Sequence, residues 1–184
     1  QEYSQYIDTL IVNKKFCVSI TGIGFDALVA KKFDKSMQKR GFFAYFRFII
    51  NSYFFYKQHS YVIETPEKTI HCKALLIDIA NSSQWGFNVK ISPKASLQDG
   101  KADICIVKKP HLGTLFAHIF MLLIGRLHKD TIIASISQTS QCSLYEQNFN
   151  WQYCHIDGEP IERQQRIDMQ VVPNSLKVII PTKF

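Results

Sequence analysis

From His59 to its last residue the chain is cut into short extended runs, and that punctuation constrains the fold more than any other feature. YVIET is closed by a turn at PEK, and TIHCKALLIDIANS and NVKISP follow. ADICIVKK is ended by Pro110, a helix is expected over roughly 112–127, and strand and turn resume from about Thr131. Before His59, TLIVNKKFCVSI reads as a strand or as a hairpin about Asn13-Lys14. The glycine-bearing turn TGIGFDA then leads into a helix from Leu28 to about Gln38. Gly41 breaks that helix, and FFAYFRFIINSYFFYK reads as a second one. Few helices and many strands, with no regular alternation between them, predict an α+β, mainly β chain. An antiparallel β-sandwich or open barrel with a few flanking helices is expected.

At 184 residues the chain is sized for a single domain, 1–184, and is short for two. Its net charge of +7 suits an anionic partner: phosphate groups, an anionic membrane surface or nucleic acid. Nucleic acid is disfavoured, because nine of the 24 aromatic residues crowd into residues 42–56 rather than alternating with Lys and Arg along strands. Five scattered cysteines with no C-x-x-C pair argue against a disulfide framework and for a reducing cytoplasm. The most apolar run, LFAHIFMLLIG, is too short to span a bilayer. No signal peptide is evident, and a chain that opens on Gln1 reads as a fragment or processed product.

Four stretches could carry chemistry. GIGFDA (22–27) fits a relaxed G-x-G-x-x-A dinucleotide pattern between a strand and a helix, but no second strand with an acidic end follows. The plainer reading is a glycine turn with Asp26 in the first helical turn, where a carboxylate suits exposed amide groups. The helix over 42–56 has two neighbouring apolar stripes and reads either as a clamp on a sheet or as a surface for acyl chains. ASLQDGKAD (95–103) is a turn at Asp99-Gly100, or a tight oxygen-rich loop for a hard cation. HIDGEPIE (155–162) is a hairpin turn at Asp157-Gly158, or a turn that holds Asp157 and Glu159 close enough to tune Glu159 as a base.

Taken in order, GIGFDA, the G-F-F-A-Y helix, ANSSQWGFNVKISPKASLQDGKADICIV and DGEP resemble the C-terminal domain of the diacylglycerol kinase-like lipid kinases. These are the bacterial enzymes related to sphingosine kinases, and the likeness runs from about Ile7 to the final strand. The resemblance implies a β-sandwich on the acceptor side of a two-domain enzyme, with the active site between the domains. It implies that Glu159, partnered by Asp157, is the base for a lipid hydroxyl attacking the γ-phosphate of ATP. It also implies a structural Mg2+ held by the Asp99 carboxylate and the main-chain oxygens of Ser96 and Lys101. The partners implied are a lipid alcohol, ATP through the other domain and the inner membrane face, where the protein would sit peripherally in the cytoplasm; a homodimer is compatible with it.

Two features depart from the family pattern. Gly86-Phe87-Asn88 stands where the family often has a glycine run. No Gly-Gly-Asp-Gly-Thr nucleotide motif occurs in the chain, so the ATP-binding N-terminal domain is expected to be absent from it and the chain alone to be inactive. The competing expectation is a non-catalytic lipid or membrane-surface binding module that uses the basic faces and the aromatic helix and is indifferent to Glu159.

Overall fold

The computed structural model describes residues 3–35, 50–86, 89–129, 132–150 and 152–180. Its elements, in chain order, are β1 (Tyr3–Val12), β2 (Lys15–Cys17), β3 (Ile20–Gly24), α1 (Phe25–Lys35), β4 (His59–Glu64), β5 (Thr69–Ala74), β6 (Leu76–Ala80), β7 (Gln84–Gly86), β8 (Val89–Lys90), β9 (Ala102–Val107), α2 (Leu115–Leu123), β10 (Ala134–Thr139), β11 (Gln141–Glu146), β12 (Gln152–Ile156), β13 (Glu159–Gln164) and β14 (Arg166–Ile180). Two antiparallel six-stranded sheets form a sandwich. The first runs β2-β1-β14-β11-β4-β5 and the second β10-β9-β6-β3-β12-β13, with β7-β8 as a separate ribbon.

The burial patterns explain the layering. β14 alternates exposed and buried over Arg166–Val171, as a strand with one wet face does. β3, β6 and β9 are buried at every position because both faces of the second sheet are covered. One core lies between the sheets, built from residues such as Leu10, Ile63, Leu144 and Ile167 facing Ile23, Ile77, Ile79 and Ile104. The other lies on the outer face of the second sheet. There Ile20, Leu76, Cys105 and Val107 pack against Phe25 and Val29 of α1, Tyr53 and Leu115 of α2. The molecule is therefore three layers: sheet, sheet and helices.

The expected mainly β sandwich with flanking helices is what forms. The Asn13-Lys14 hairpin is also present, with both residues at positive φ (48° and 66°), the geometry that matches strand twist. Three expectations need correction. α1 starts at Phe25 rather than Leu28. TIHCKALLIDIANS is not one strand: β5 and β6 lie in different sheets, and the chain crosses between them at Leu75, whose N–H donates to the Val107 carbonyl. The expected strand over NVKISP shrinks to the two residues of β8. The helix over 42–56 lies outside the described residues up to 49, and 50–55 are helical.

Candidate functional site

The DGE turn is built from β12 and β13, which pair Ile156 with Glu159. That leaves Asp157 and Gly158 as a two-residue loop with φ of 51° and 83°. The Asp157 carboxylate does not lie idle beside Glu159. It accepts the backbone N–H groups of Val18 (2.9 Å), Ser19 (2.7 Å) and Ile20 (3.0 Å), and the Cys17 thiol lies 3.4 Å away. Burial alone would raise its pKa, but these donors outweigh burial and hold it below the ordinary carboxylate value. Asp157 thus ties the turn to the β2–β3 corner, and the Glu159 side chain is left exposed at the start of β13.

Directly beneath the turn lies a buried cluster. His155 Nε2 is 2.6 Å from Asp26 Oδ2 and 3.8 Å from Asp78 Oδ1, and the Gly158 N–H points at His155 Nδ1 from 3.3 Å. The Trp85 indole N–H donates to Asp78 Oδ2 (2.7 Å). Burial opposes the His155 charge, but the Asp26 charge and hydrogen bond, then those of Asp78, carry the imidazole pKa well above its ordinary value. Burial likewise opposes ionisation of Asp26, and the His155 charge and hydrogen bond reverse it, lowering that carboxyl. Burial, and then the Asp26 charge, push Asp78 up to about 8. The cluster is an ion pair, Asp26 with His155, beside a protonated Asp78.

The three side chains meet because residue 22 is glycine. A Cβ there would lie 2.0 Å from Asp78 Oδ1, 2.5 Å from Asp26 Oδ2 and 2.7 Å from His155 Nε2. One oxygen each of Asp26 and Asp78 has no hydrogen-bond partner, and one ligand atom from each of the three residues falls within 4.8 Å of the others. Metal ligation through Nε2 is nonetheless disfavoured. Nε2 directs its proton at Asp26, and the raised imidazole pKa holds that proton in place.

The loop over 95–101 is held from below by Asp8. Its carboxylate accepts the Gly100 N–H (2.7 Å) and the Asn174 N–H (2.8 Å), and its own N–H donates to the Leu97 carbonyl (2.7 Å). Asp8 sits at the irregularity where the β1–β14 register shifts. Within the loop Ser96, Asp99 and Lys101 are exposed, and Asp99 Oδ1 accepts the Lys101 N–H (3.1 Å). Among the described residues, the Ser96 and Lys101 carbonyls accept no backbone hydrogen bond, so one carboxylate and two open carbonyl oxygens are on offer. That donor set suits a hard cation.

The two sequence-derived sites are joined through buried residues. The Asn81 side-chain amide donates to the carbonyls of Asp8 and Val18, which connects the loop to the corner that binds Asp157. An open groove of about 620 Å³ runs between them, lined by Ser19, Ser82, Trp85, Ala95, Leu97 and Gln98 among others. Its walls carry hydroxyl, amide and indole groups and no charge.

The profile of the YegS C-terminal NAD kinase beta sandwich-like domain matches residues 19–180. The chain belongs to that family. Three solved structures of proteins from Bacillus anthracis str. Sterne, described as diacylglycerol kinases, share the fold. Their TM-scores are 0.72, 0.64 and 0.63 at 14%, 12% and 14% identity, each over 97% of this chain. The chain spans little more than half of those structures, 57%, 55% and 58% of their lengths. No match was found among curated protein sequences.

Within this family sandwich, sequence reasoning named Asp157, Glu159, Ser96, Asp99 and Lys101 and missed Asp8, Asp78, Asn81 and His155. The one available signal for Asp78 was a charge inside the apolar run LLIDIA, since an ionisable group in a buried strand needs a partner. Gly86-Phe87-Asn88 falls partly outside the described residues.

Proposed function

We propose that this domain is the acceptor side of an ATP-dependent lipid kinase, with Glu159 as general base. Family membership supports this reading, and the observation that carries it is the construction of the DGE turn. Asp157 is fixed by three backbone amides, so the one uncommitted carboxylate of the motif, Glu159, is presented on an anchored hairpin. A lipid hydroxyl placed against Glu159 gives up its proton as its oxygen attacks the γ-phosphorus. The bond from that phosphorus to the β–γ bridging oxygen breaks, and ADP leaves. ATP is supplied by a separate nucleotide-binding domain. The loop at Ser96, Asp99 and Lys101 holds Mg2+ as a structural ion, keeping one wall of the groove in shape. A diacylglycerol-like alcohol is the acceptor, its hydroxylated head group suited to the uncharged groove, and the protein works peripherally at the membrane. Among the described residues no helix is long and apolar enough to cross a bilayer.

The test uses the longest natural polypeptide that contains this chain, assayed with labelled ATP, Mg2+ and micelles of diacylglycerol. Wild-type protein should label the lipid, and Glu159→Gln should lose about 100-fold or more of that activity with an unchanged melting temperature. Turnover of Glu159→Gln within about threefold of wild type removes the assignment. Wild-type protein that binds lipid and never labels it leaves the non-catalytic binding module as the better reading.

A further inference from the structure

α2 and its lead-in are apolar on two sides, and among the described residues only one of them has a partner. Leu115 is buried, and Ile119 and Leu122 pack against the core on the outer face of the second sheet. Leu112, Phe116, Phe120 and Leu123, spaced four, four and three residues apart, form an adjacent stripe that faces solvent. They are 61%, 72%, 62% and 42% exposed, and Ile124 extends the stripe at 45%. A helix apolar around most of its circumference is expected to be buried, and a contiguous exposed stripe of large apolar side chains marks a surface that meets something. Beside it, Tyr53 donates its hydroxyl to the Pro110 carbonyl, which fixes the end of the 50–55 helical stretch next to the α2 lead-in. Phe54 and Phe55 of that stretch are exposed too.

The charge around the stripe selects its partner. From Ile104 to Lys129 the sequence has no Asp or Glu, while Lys108 and Lys109 precede α2 and Arg126 and Lys129 follow it. Lys109 is engaged, with its ammonium on the Tyr56 carbonyl and over the Tyr53 ring, whereas Arg126 is exposed just beyond the C-terminal end of α2. None of the five stripe side chains can make a hydrogen bond. A protein interface carries about one hydrogen bond per 100–200 Å² and is specified by polar contacts. An apolar helix face with a cation at its end and no acid matches the headgroup–acyl boundary of an anionic bilayer instead.

We propose that the Leu112–Ile124 face docks the domain on an anionic phospholipid bilayer. Phe116 and Phe120 enter the acyl boundary, and Arg126 meets lipid phosphate at the edge. This gives a place to the membrane contact, which the kinase reading above expects, and it rests on that reading only for the purpose of the contact.

The test is sedimentation of the chain with phosphatidylcholine vesicles, with and without phosphatidylglycerol, at low and high salt. The wild-type chain should pellet with the phosphatidylglycerol vesicles, and less so at high salt. The double variant Phe116→Ser/Phe120→Ser should lose about 100-fold or more of its partitioning, since two phenyl rings are withdrawn from the acyl boundary, with circular dichroism and melting temperature unchanged. Arg126→Glu should weaken binding to the anionic vesicles alone. Wild-type-like partitioning of the double variant overturns the proposal, as does a wild-type chain that ignores anionic vesicles. A wild-type dimer in light scattering that the double variant abolishes, without vesicle binding, assigns the face to a second copy and also overturns it. The assay needs no turnover. A chain that docks through this face while Glu159→Gln stays active fails the kinase reading alone, and the reverse pattern fails this one alone.

Discussion

At residue 22 the absence of a side chain lets Asp26, Asp78 and His155 meet behind the DGE turn. Asp78 has its pKa carried from 3.8 to about 8, first by burial and then by the Asp26 charge. Between those values the native state keeps a proton that the unfolded chain has released, so stability falls as pH rises across that window. His155, raised in the fold, adds stability that is full below its unfolded value and is lost as pH climbs through its native one. Asp26, lowered in the fold, adds stability above its unfolded value and is constant over the neutral range. Melting temperature should therefore drop from about pH 6 to about pH 9, and Asp78→Asn, fixed in the neutral form, should flatten that drop by at least about 1 kcal/mol, or roughly 2–4 °C. Parallel pH profiles for the two proteins contradict the assignment of a buried neutral Asp78. The sequence could not show this cluster. Asp26 and His155 are 129 positions apart, and only the strand order β12-β3-β6 brings the three residues together. GIGFDA was legible as a glycine turn, and Gly24, at φ 113° against the Leu75 carbonyl, fits that reading; the room that Gly22 makes for two carboxylates and an imidazole was not legible.

Among the elements, the β12–β13 hairpin depends on a side chain outside its own ladder. Asp157 sits at φ 51°, a conformation that Asp and Asn tolerate better than Ala, and its carboxylate serves three amides of the β2–β3 corner. Asp157→Asn keeps the backbone conformation and one acceptor oxygen, and should cost about 1–2 kcal/mol. Asp157→Ala also adds backbone strain and should cost about 1 kcal/mol more. Urea unfolding of the two variants checks the order, and an alanine variant as stable as wild type shows that the corner does not need the carboxylate. The two-residue hairpins at Asn13-Lys14 and Asp157-Gly158 were readable because their turn chemistry is local. The crossing at Leu75 was not. ALLIDIA is continuously apolar, with no glycine or proline to mark the change of sheet, and the break is fixed by the pairing of Leu75 with Val107 across the second sheet.

At the scale of the molecule, the loop over 95–101 connects the two sheets. It leads from β8 into β9 of the second sheet, while Asp8 of β1 and the Asn174 region of β14, both in the first sheet, hold it from below. A cation bound there would be felt by both halves of the sandwich and so by global unfolding rather than by local loop order. If Asp99 and the Ser96 and Lys101 carbonyls hold Mg2+, adding the ion at about 100 times its dissociation constant should stabilise the native chain by about 2.7 kcal/mol. At roughly 2–4 °C per kcal/mol, that is a rise easily seen in a thermal melt. Asp99→Ala removes the one carboxylate among those ligands and should abolish the Mg2+-dependent rise. Its melting temperature in chelator should stay close to wild type, because Asp99 is exposed and Asp8 still fastens the loop. The control at the other anchor separates the two roles. Asp8→Asn keeps one acceptor oxygen and turns an amide donor against one of the Gly100 and Asn174 N–H groups, and should lower stability by about 2 kcal/mol with or without the ion. A wild-type melt that Mg2+ does not move leaves the loop as a brace between sheets, fastened by Asp8 and by the Gln98 amide on the Tyr6 carbonyl.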